Sequence, residues 1–283
     1  MSNNAAVKSS AFIEIKSSSP LFDLRIGELL HYRYLIFLFV KRDFITNYKQ
    51  TILGPLWHVL QPLLTTLIYA VIFGRVAKIP HDGIPTIVFY LSGMTLWNYF
   101  AACFNKTSTT FLSNAAIFGK VYFPRITVPL ATAISNLMSL LIQMLLLIFF
   151  LIIYRNYVVL HYTLLLTPVL ILLLAFMGLG FGIIVSSLTI RYRDLAYLMN
   201  FGIQLWMFAT PIIYPLSLLQ GKLRTIAKLN PVTPIIEGFR YSLFGKGEFM
   251  WHDLLYTTVF TIIIVLIGIV LFNRTERDFM DTV

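Results

Sequence analysis

KRDFITNYKQTILGPLWHVLQP, residues 41–62, is the stretch on which the fold turns. Lys41, Arg42, Asp43 and Lys49 lead without a polar linker into an apolar run that opens on Gly54-Pro55 and carries Trp57 and His58. Charge on one side and unbroken apolar bulk on the other mark a chain that follows a membrane surface and then turns into the bilayer. Proline at the first helical position forfeits no intrahelical hydrogen bond, so Gly54-Pro55 is the expected place for the turn.

The rest of the chain has the same character. Of its 283 residues, 58% are hydrophobic and 12% charged, too apolar a balance for a soluble domain of this length. Stretches without charge, long enough to cross a hydrocarbon core of roughly 30 Å, fall at 55–74, 86–104, 128–153, 163–188, 195–214 and 254–272. The expected fold class is an all-α integral membrane protein with six transmembrane helices. Residues 1–20 contain no apolar core of signal-peptide length and read as a polar extension, leaving 21–283 as a single membrane domain. With the amino end in the cytoplasm, 14 of the 22 Lys and Arg residues fall on the cytoplasmic side, as the positive-inside rule favours. Both termini are therefore expected there.

Three segments outside the spans carry structure. In 25–50, Leu30, Tyr34, Phe37, Phe44 and Tyr48 recur near helical spacing, which predicts an amphipathic helix lying in the interface. Between the second and third spans, IFGKVYFPR at 117–125 places Ile117, Phe118, Val121, Tyr122 and Phe123 at the cytoplasmic face as an exposed contact surface. Ser113 or Asn114 is the expected cap of a short helix there, and Pro124 its stop. The loop 215–253 predicts two short external helices, about 216–229 and 234–244, with Thr233 as cap and Pro234 in the first turn. Neither is long enough to cross; both can dip into the outer leaflet and cover a pore exit.

The acidic residues exclude more than any motif includes. None of the twelve falls inside an expected span, whereas ion-driven transporters rely on intramembrane ionisable groups. No phosphate loop is present: Gly238-FRYSLF-Gly245-Lys246-Gly247 has six intervening residues and no Ser or Thr after the Lys. The five histidines show no metal-ligand spacing. An embedded glycan- or lipid-modifying enzyme would have only His81, Asp82 and Asp253 to work with outside. The net charge of +10 flanks apolar spans, where anionic headgroups, not nucleic acid, are the natural partners. Cys103, the single cysteine, lies within the second span as small apolar filler.

RDFITNYKQTILGPLWHVLQPLL (42–64), VYFPRITVPL (121–130), IRYRDL (190–195) and LNPVTPIIEGFR (229–240) resemble, in order, the permease subunits of type-two ABC exporters of lipid-linked polysaccharides such as O-antigen, capsule and teichoic acid. The resemblance runs from about residue 25 to the end. It implies a bacterial inner-membrane homodimer bound to two copies of a cytoplasmic ATP-binding subunit, with ATP and Mg in that partner and no cofactor in this chain. It also implies that 113–124 is a coupling helix seated on the ATPase, with Ile117, Phe118, Lys120, Tyr122, Phe123 and Arg125 as its contact residues, and that the helices of 216–244 form an outer gate. A sliding sugar chain needs weak, repeated contacts, which aromatic faces supply. Phe89, Trp97, Phe100 and Phe104 can share one face of the second span. With Trp57, Tyr69 and Phe73 on the first, and Trp206, Phe208 and Tyr214 on the fifth, they are the candidate substrate channel; Trp57, Tyr99 and Tyr214 equally suit an interfacial belt. Lys41, Arg42 and Lys49 are the candidate entrance for a pyrophosphate-linked headgroup. Exporters of drugs or small lipids share this layout and are the alternative within transport.

Overall fold

The computed structural model describes residues 27, 31–49, 52–118, 123–159, 161–190, 192 and 194–280. The expected extension 1–20, and Leu30, Lys120, Val121 and Tyr122, lie outside them. Among the described residues the regular elements are all helical: α1 Arg33–Tyr48, α2 Trp57–Tyr69, α3 Thr86–Ser108, α4 Thr110–Phe118, α5 Thr127–Ile153, α6 Thr167–Thr189, α7 Leu195–Ala209, α8 Gly221–Leu229, α9 Thr233–Phe244 and α10 Trp251–Met280. Five stretches are long and apolar enough to cross a membrane: Gly54–Val76, Thr86–Ser108, Thr127–Ile153, Tyr162–Thr189 and Trp251–Thr275.

The turn into the bilayer is where the opening stretch puts it. Gly54 takes φ 48°, a left-handed conformation that glycine adopts without strain. A single tight turn, Gly54–Leu56, with Pro55 in it, then delivers the chain to α2. Beyond Tyr69 the helix widens, through Ala70–Val76, to i→i+5 bonding, and the Ala77 N–H closes it on Ile72 O at 2.8 Å.

The fifth expected span, 195–214, differs from its prediction. Helix α7 has 15 residues, about 22 Å at 1.5 Å per residue, short of the roughly 30 Å a crossing needs. Pro211 ends it, because the residue before a proline is driven from the helical region; Thr210 sits at φ −99°, ψ 141°. The remainder turns away, burying Thr210, Ile212 and Ile213.

Helices α3, α6 and α10 form the centre, and their backbones touch. On α6, a Cβ at Gly178 would lie 2.9 Å from Cys103 Cβ, and one at Gly182 would lie 2.6 Å from Thr107 Cβ, both on α3. Gly180 faces the other way, where a Cβ would meet Ile264 Cγ2 of α10 at 2.8 Å, and a Cβ at Gly268 of α10 would meet Gly180 O at 3.0 Å. In lipid, where burying apolar surface between helices gains little, such close approach supplies the dispersion contacts that hold helices together.

Helix α1 docks at one end of this bundle. Tyr32, Leu35, Ile36, Phe39 and Val40 pack on a cluster of Phe111 and Phe118 from α4, Phe123, Val128 and Ala131 at the start of α5, Ile183 and Phe272. The face expected to be apolar, Tyr34 and Phe37 with Phe44, instead points outward, Tyr34 73% and Phe37 68% exposed. Both faces are therefore apolar, one against protein and one outward, which is the composition of a helix held between a protein and a headgroup layer. Two capping expectations are corrected. Helix α4 starts at Thr110, and Asn114 lies inside it, its Nδ2 donating to Thr110 O at 3.0 Å. Helix α9 starts at Thr233 itself with Val232 as the flanking residue, and Pro234 is in the first turn as predicted.

Candidate functional site

The end of the bundle opposite α1 is tied by one arginine. Arg240 of α9 is 1% exposed and its partner Glu237 3%. Its Nη1 donates to Pro211 O at 2.5 Å and to Glu237 Oε1 at 3.2 Å. Its Nη2 donates to Ile212 O at 2.8 Å and Phe89 O at 3.4 Å, while the guanidinium lies 3.7 Å from the Phe89 ring centroid. One side chain thus joins α9, the segment that leaves α7, and the first turn of α3. Two of the carbonyls it takes, those of Pro211 and Ile212, lie past the end of α7, and the third, Phe89 O in the first turn of α3, accepts through its second lone pair. Gly93 makes room, since a Cβ there would lie 2.8 Å from Arg240 Nη2. Burial pushes the Glu237 carboxyl up, against the pull of the adjacent Arg240; a guanidinium stays charged through any accessible pH. Glu237 Oε2 also accepts from the Glu248 N–H at 3.3 Å, and Glu248 receives Arg224 and Lys228 of α8. The two short helices α8 and α9 are thereby held as a pair.

Around this tie the residues proposed for enzymatic work are engaged separately. His81 Nε2 lies 2.9 Å from the Tyr90 hydroxyl, Asp82 Oδ1 accepts from Ser217 Oγ at 2.7 Å, and Asp253 Oδ1 lies 3.2 Å from His252 Nε2. Burial, then the Arg240 charge, lowers the His81 pKa, with Asp82 opposing. The structure does not bring the three together, and among the described residues no group of three His, Cys, Asp or Glu side chains could hold a metal.

The aromatic candidates divide by exposure. Phe89, Trp97, Phe100 and Phe104 are all buried in the core of the single chain, because α3 is enclosed on every side rather than along one face. Trp206 of α7 reaches them: its ring lies 5.2 Å from Phe100 and 6.3 Å from Trp97, and its Nε1 donates to Asn230 Oδ1 at 3.1 Å. Tyr69 and Phe73 are half-buried, edge to face at 5.4 Å. Trp57 and Phe208 are exposed, and the half-buried Tyr214 donates its hydroxyl to Phe208 O at 3.3 Å. The candidate rings open to solvent or lipid thus sit on α2 and α7.

At the α1 end, Lys41 and Lys49 are exposed, whereas Arg42 is bound to its neighbour, Nε and Nη2 reaching Asp43 Oδ1 at 3.0 and 2.7 Å. Of the expected coupling residues, Ile117 is half-buried, but Phe118, Phe123 and Arg125 are buried. The surface reading of Phe118 and Phe123 is corrected: Phe118 and Phe123 pack against each other with ring centroids 5.8 Å apart, and Arg125 lies 5.3 Å from the Phe118 ring. The exposed face of α4 is instead Leu112, Ser113, Ala115 and Ala116.

A set of polar residues escaped the sequence reading. Asn98 Nδ2 of α3 donates to Gln143 Oε1 of α5 at 3.1 Å, Lys106 Nζ donates to Asn136 Oδ1 at 3.0 Å, and His58 Nε2 of α2 lies 3.4 Å from Ser139 Oγ. Asn136, Ser139 and Gln143 recur at steps of three and four, one face of a helix. That spacing is visible in the sequence, but uncharged amides and hydroxyls within an apolar run carry no signal that sets them apart from ordinary polar packing.

Comparison with known proteins agrees with this architecture. The model of the ABC-2 type transporter family matches residues 34–244. Two proteins of Klebsiella pneumoniae, each named O-antigen export system permease protein RfbA, are 30% and 29% identical over 250 residues, covering 87% of this chain and 94% of theirs. A protein of the same name from Myxococcus xanthus is 23% identical over 261 residues, 91% of this chain and 98% of its own. The match takes in α1, the glycine turn into α2, the central helices α3 and α6 and the arginine-tied pair α8 and α9, and the chain is a member of the ABC-2 type transporter family.

Proposed function

We propose that this chain is the permease of an ATP-driven exporter that carries a polyprenyl-pyrophosphate-linked polysaccharide of the O-antigen class across the bacterial inner membrane. The observation that carries the proposal is the extent of the likeness: permeases named for O-antigen export match 87% of the chain and 94% of their own length. Distribution of Lys and Arg supports placing the α1 end, with both termini, in the cytoplasm. In this reading α7, with the buried segment after it, completes a sixth crossing, and α8 and α9 form a short outer gate held by Arg240.

Two copies of the chain enclose the channel, and two ATP-binding subunits supply the work, with ATP and Mg bound there. The exposed aromatic and apolar faces of α2 and α7 support this arrangement, since Trp57, Phe208, Leu64, Ile68, Leu205 and Phe201 have no cover within one chain. Tyr69, Phe73 and Trp206 border the same faces, while Phe89, Trp97, Phe100 and Phe104 stiffen the wall behind them. Ile117, with Lys120 and Tyr122, meets the ATP-binding subunit alongside the exposed face of α4; Phe118, Phe123 and Arg125 brace that contact from within. Lys41 and Lys49 draw the anionic headgroup to the entrance, and Arg42, already paired, adds less.

The test is ATP hydrolysis by the chain purified with its ATP-binding subunit in lipid, with and without a polyprenyl-pyrophosphate-linked glycan. Stimulation by the glycan, lost on replacing Ile117 by Asp, supports the proposal. No co-purifying ATPase, with the chain alone altering the lipid-linked sugar, overturns it.

A further inference from the structure

We infer that Lys106, with Asn136, His58 and Ser139, forms a binding site for the pyrophosphate of a lipid carrier, an inference that rests on the export reading above. Three helices contribute: Lys106 from α3, His58 from α2, and Asn136 and Ser139 from successive turns of α5. Lys106 donates to Asn136 Oδ1 at 3.0 Å, and His58 Nε2 approaches Ser139 Oγ at 3.4 Å. The two contacts lie three residues apart on α5, one turn of one face.

The side chains bonded here are amide, hydroxyl and imidazole rather than acid. No carboxylate pairs with Lys106 among the described residues; Asp43 is taken by Arg42, Glu237 by Arg240, Glu248 by Arg224 and Lys228, and Asp253 by His252. Asn136 is buried and its Nδ2 has only the weak acceptor Cys103 Sγ, at 3.9 Å. The Ser135 hydroxyl, on the residue before Asn136, is buried with no partner at all. Lys106, itself exposed, thus has a neutral amide oxygen, Asn136 Oδ1, as its hydrogen-bond acceptor.

A lysine near the end of a span ordinarily extends its head to the interface to reach water. Lys106 instead turns onto Asn136, into a seam that continues inward to the Asn98–Gln143 pair. A ligand that fits is strongly anionic, rich in acceptor oxygens and reachable from the membrane at the α1 end. The pyrophosphate of a polyprenyl carrier has that chemistry, as does the phosphate of an acidic phospholipid, and charge-assisted bonds of this type favour the doubly phosphorylated group.

The experiment separates these sources. The full chain with its ATP-binding subunit, in phosphatidylcholine nanodiscs, is titrated with undecaprenyl pyrophosphate and read by native mass spectrometry. Lys106→Gln keeps a donor to Asn136 but removes the charge, and binding is expected to weaken at least about tenfold. Asn136→Asp leaves Lys106 in place but neutralises it internally, and weakens binding in the same way. Lys106→Arg retains the charge and most of the affinity, which also reports that the site still folds, and Arg155→Gln, on the far side, changes nothing. Displacement by inorganic pyrophosphate supports recognition of the headgroup. Binding by Lys106→Gln equal to wild type overturns the site and leaves the export reading intact. Displacement by phosphatidylglycerol at equal concentration assigns the site to bulk acidic lipid and overturns the inference. Failure of the wild-type complex to retain undecaprenyl pyrophosphate overturns the inference together with the export reading.

Discussion

Replacing Arg240 by Met should loosen the end of the bundle opposite α1, and by an amount the contacts allow to be bounded. Methionine fills comparable space, so the loss is in polar pairing. The guanidinium is 1% exposed and serves Pro211 O, Ile212 O, Phe89 O and the Glu237 carboxylate. Removing one partner of a buried ion pair costs about 3–5 kcal/mol. Burial already pushes the Glu237 carboxyl up, so in R240M it takes up a proton, which holds this loss near the lower bound. The two shorter carbonyl bonds then lack donors, adding about 1–3 kcal/mol together if the segment after α7 shifts to find water. A total near 4–6 kcal/mol corresponds to roughly 10–20 °C in the unfolding midpoint at about 2–4 °C per kcal/mol. Thermal unfolding of detergent-solubilised protein, followed by size-exclusion recovery, measures it. The double variant E237Q/R240M removes the cost of protonating the acid but not the orphaned carbonyls, and should recover part of the loss. An R240M midpoint unchanged from wild type, or a double variant no more stable than R240M, would refute the assignment of this pair as the tie.

Other expectations follow the same logic. F118A should cost about 3–5 kcal/mol, as core Phe truncations do, and lower the unfolding midpoint without any ATP-binding subunit present, whereas L112A on the exposed face of α4 should leave the midpoint unchanged. G182L must push α3 away from α6, because the added side chain starts 2.6 Å from Thr107 Cβ; overpacking of this kind costs about 1–3 kcal/mol and should appear as lost recovery of folded protein. The lowered His81 pKa means that the folded chain binds fewer protons than the unfolded one just below the ordinary histidine value of 6.5. Its contribution is complete above that pH and is lost as the pH falls through the folded value. Thermal scans should thus show a midpoint declining below about pH 6.5, with the decline smaller in H81N.

Much of this architecture is legible in the sequence where a local rule governs it. Gly54-Pro55 announces the turn into α2 because its chemistry is confined to adjacent residues, and Pro231 and Pro234 separate α8 from α9 for the same reason. The shortness of α7 was written in Thr210-Pro211, yet an apolar window averages over a helix breaker that is itself uncharged. The docking face of α1 was not legible: with Tyr34, Phe37, Leu35 and Phe39 all apolar, only contact with Val128 and Phe272 decides which stripe turns inward. Arg240 and Glu237 looked like ordinary loop charges, since nothing near them in sequence reveals the carbonyls of Phe89 and Ile212. The rings of α3 looked like channel lining because their burial depends on glycines some eighty residues away.

The glycine contacts of α6 also determine what can move. Where backbones touch, one helix cannot slide along another by a residue without driving Cys103 and Thr107 into the next side chain, so α3, α6 and α10 behave as a stator. Displacement arriving through α1 or α4 must then be taken up elsewhere. Helix α2, hinged at Gly54 and loosened at Ala70–Val76, and α7, which buries only Ile203, are the free vanes. Motion in this molecule is steered to the margins by the immobility of its middle.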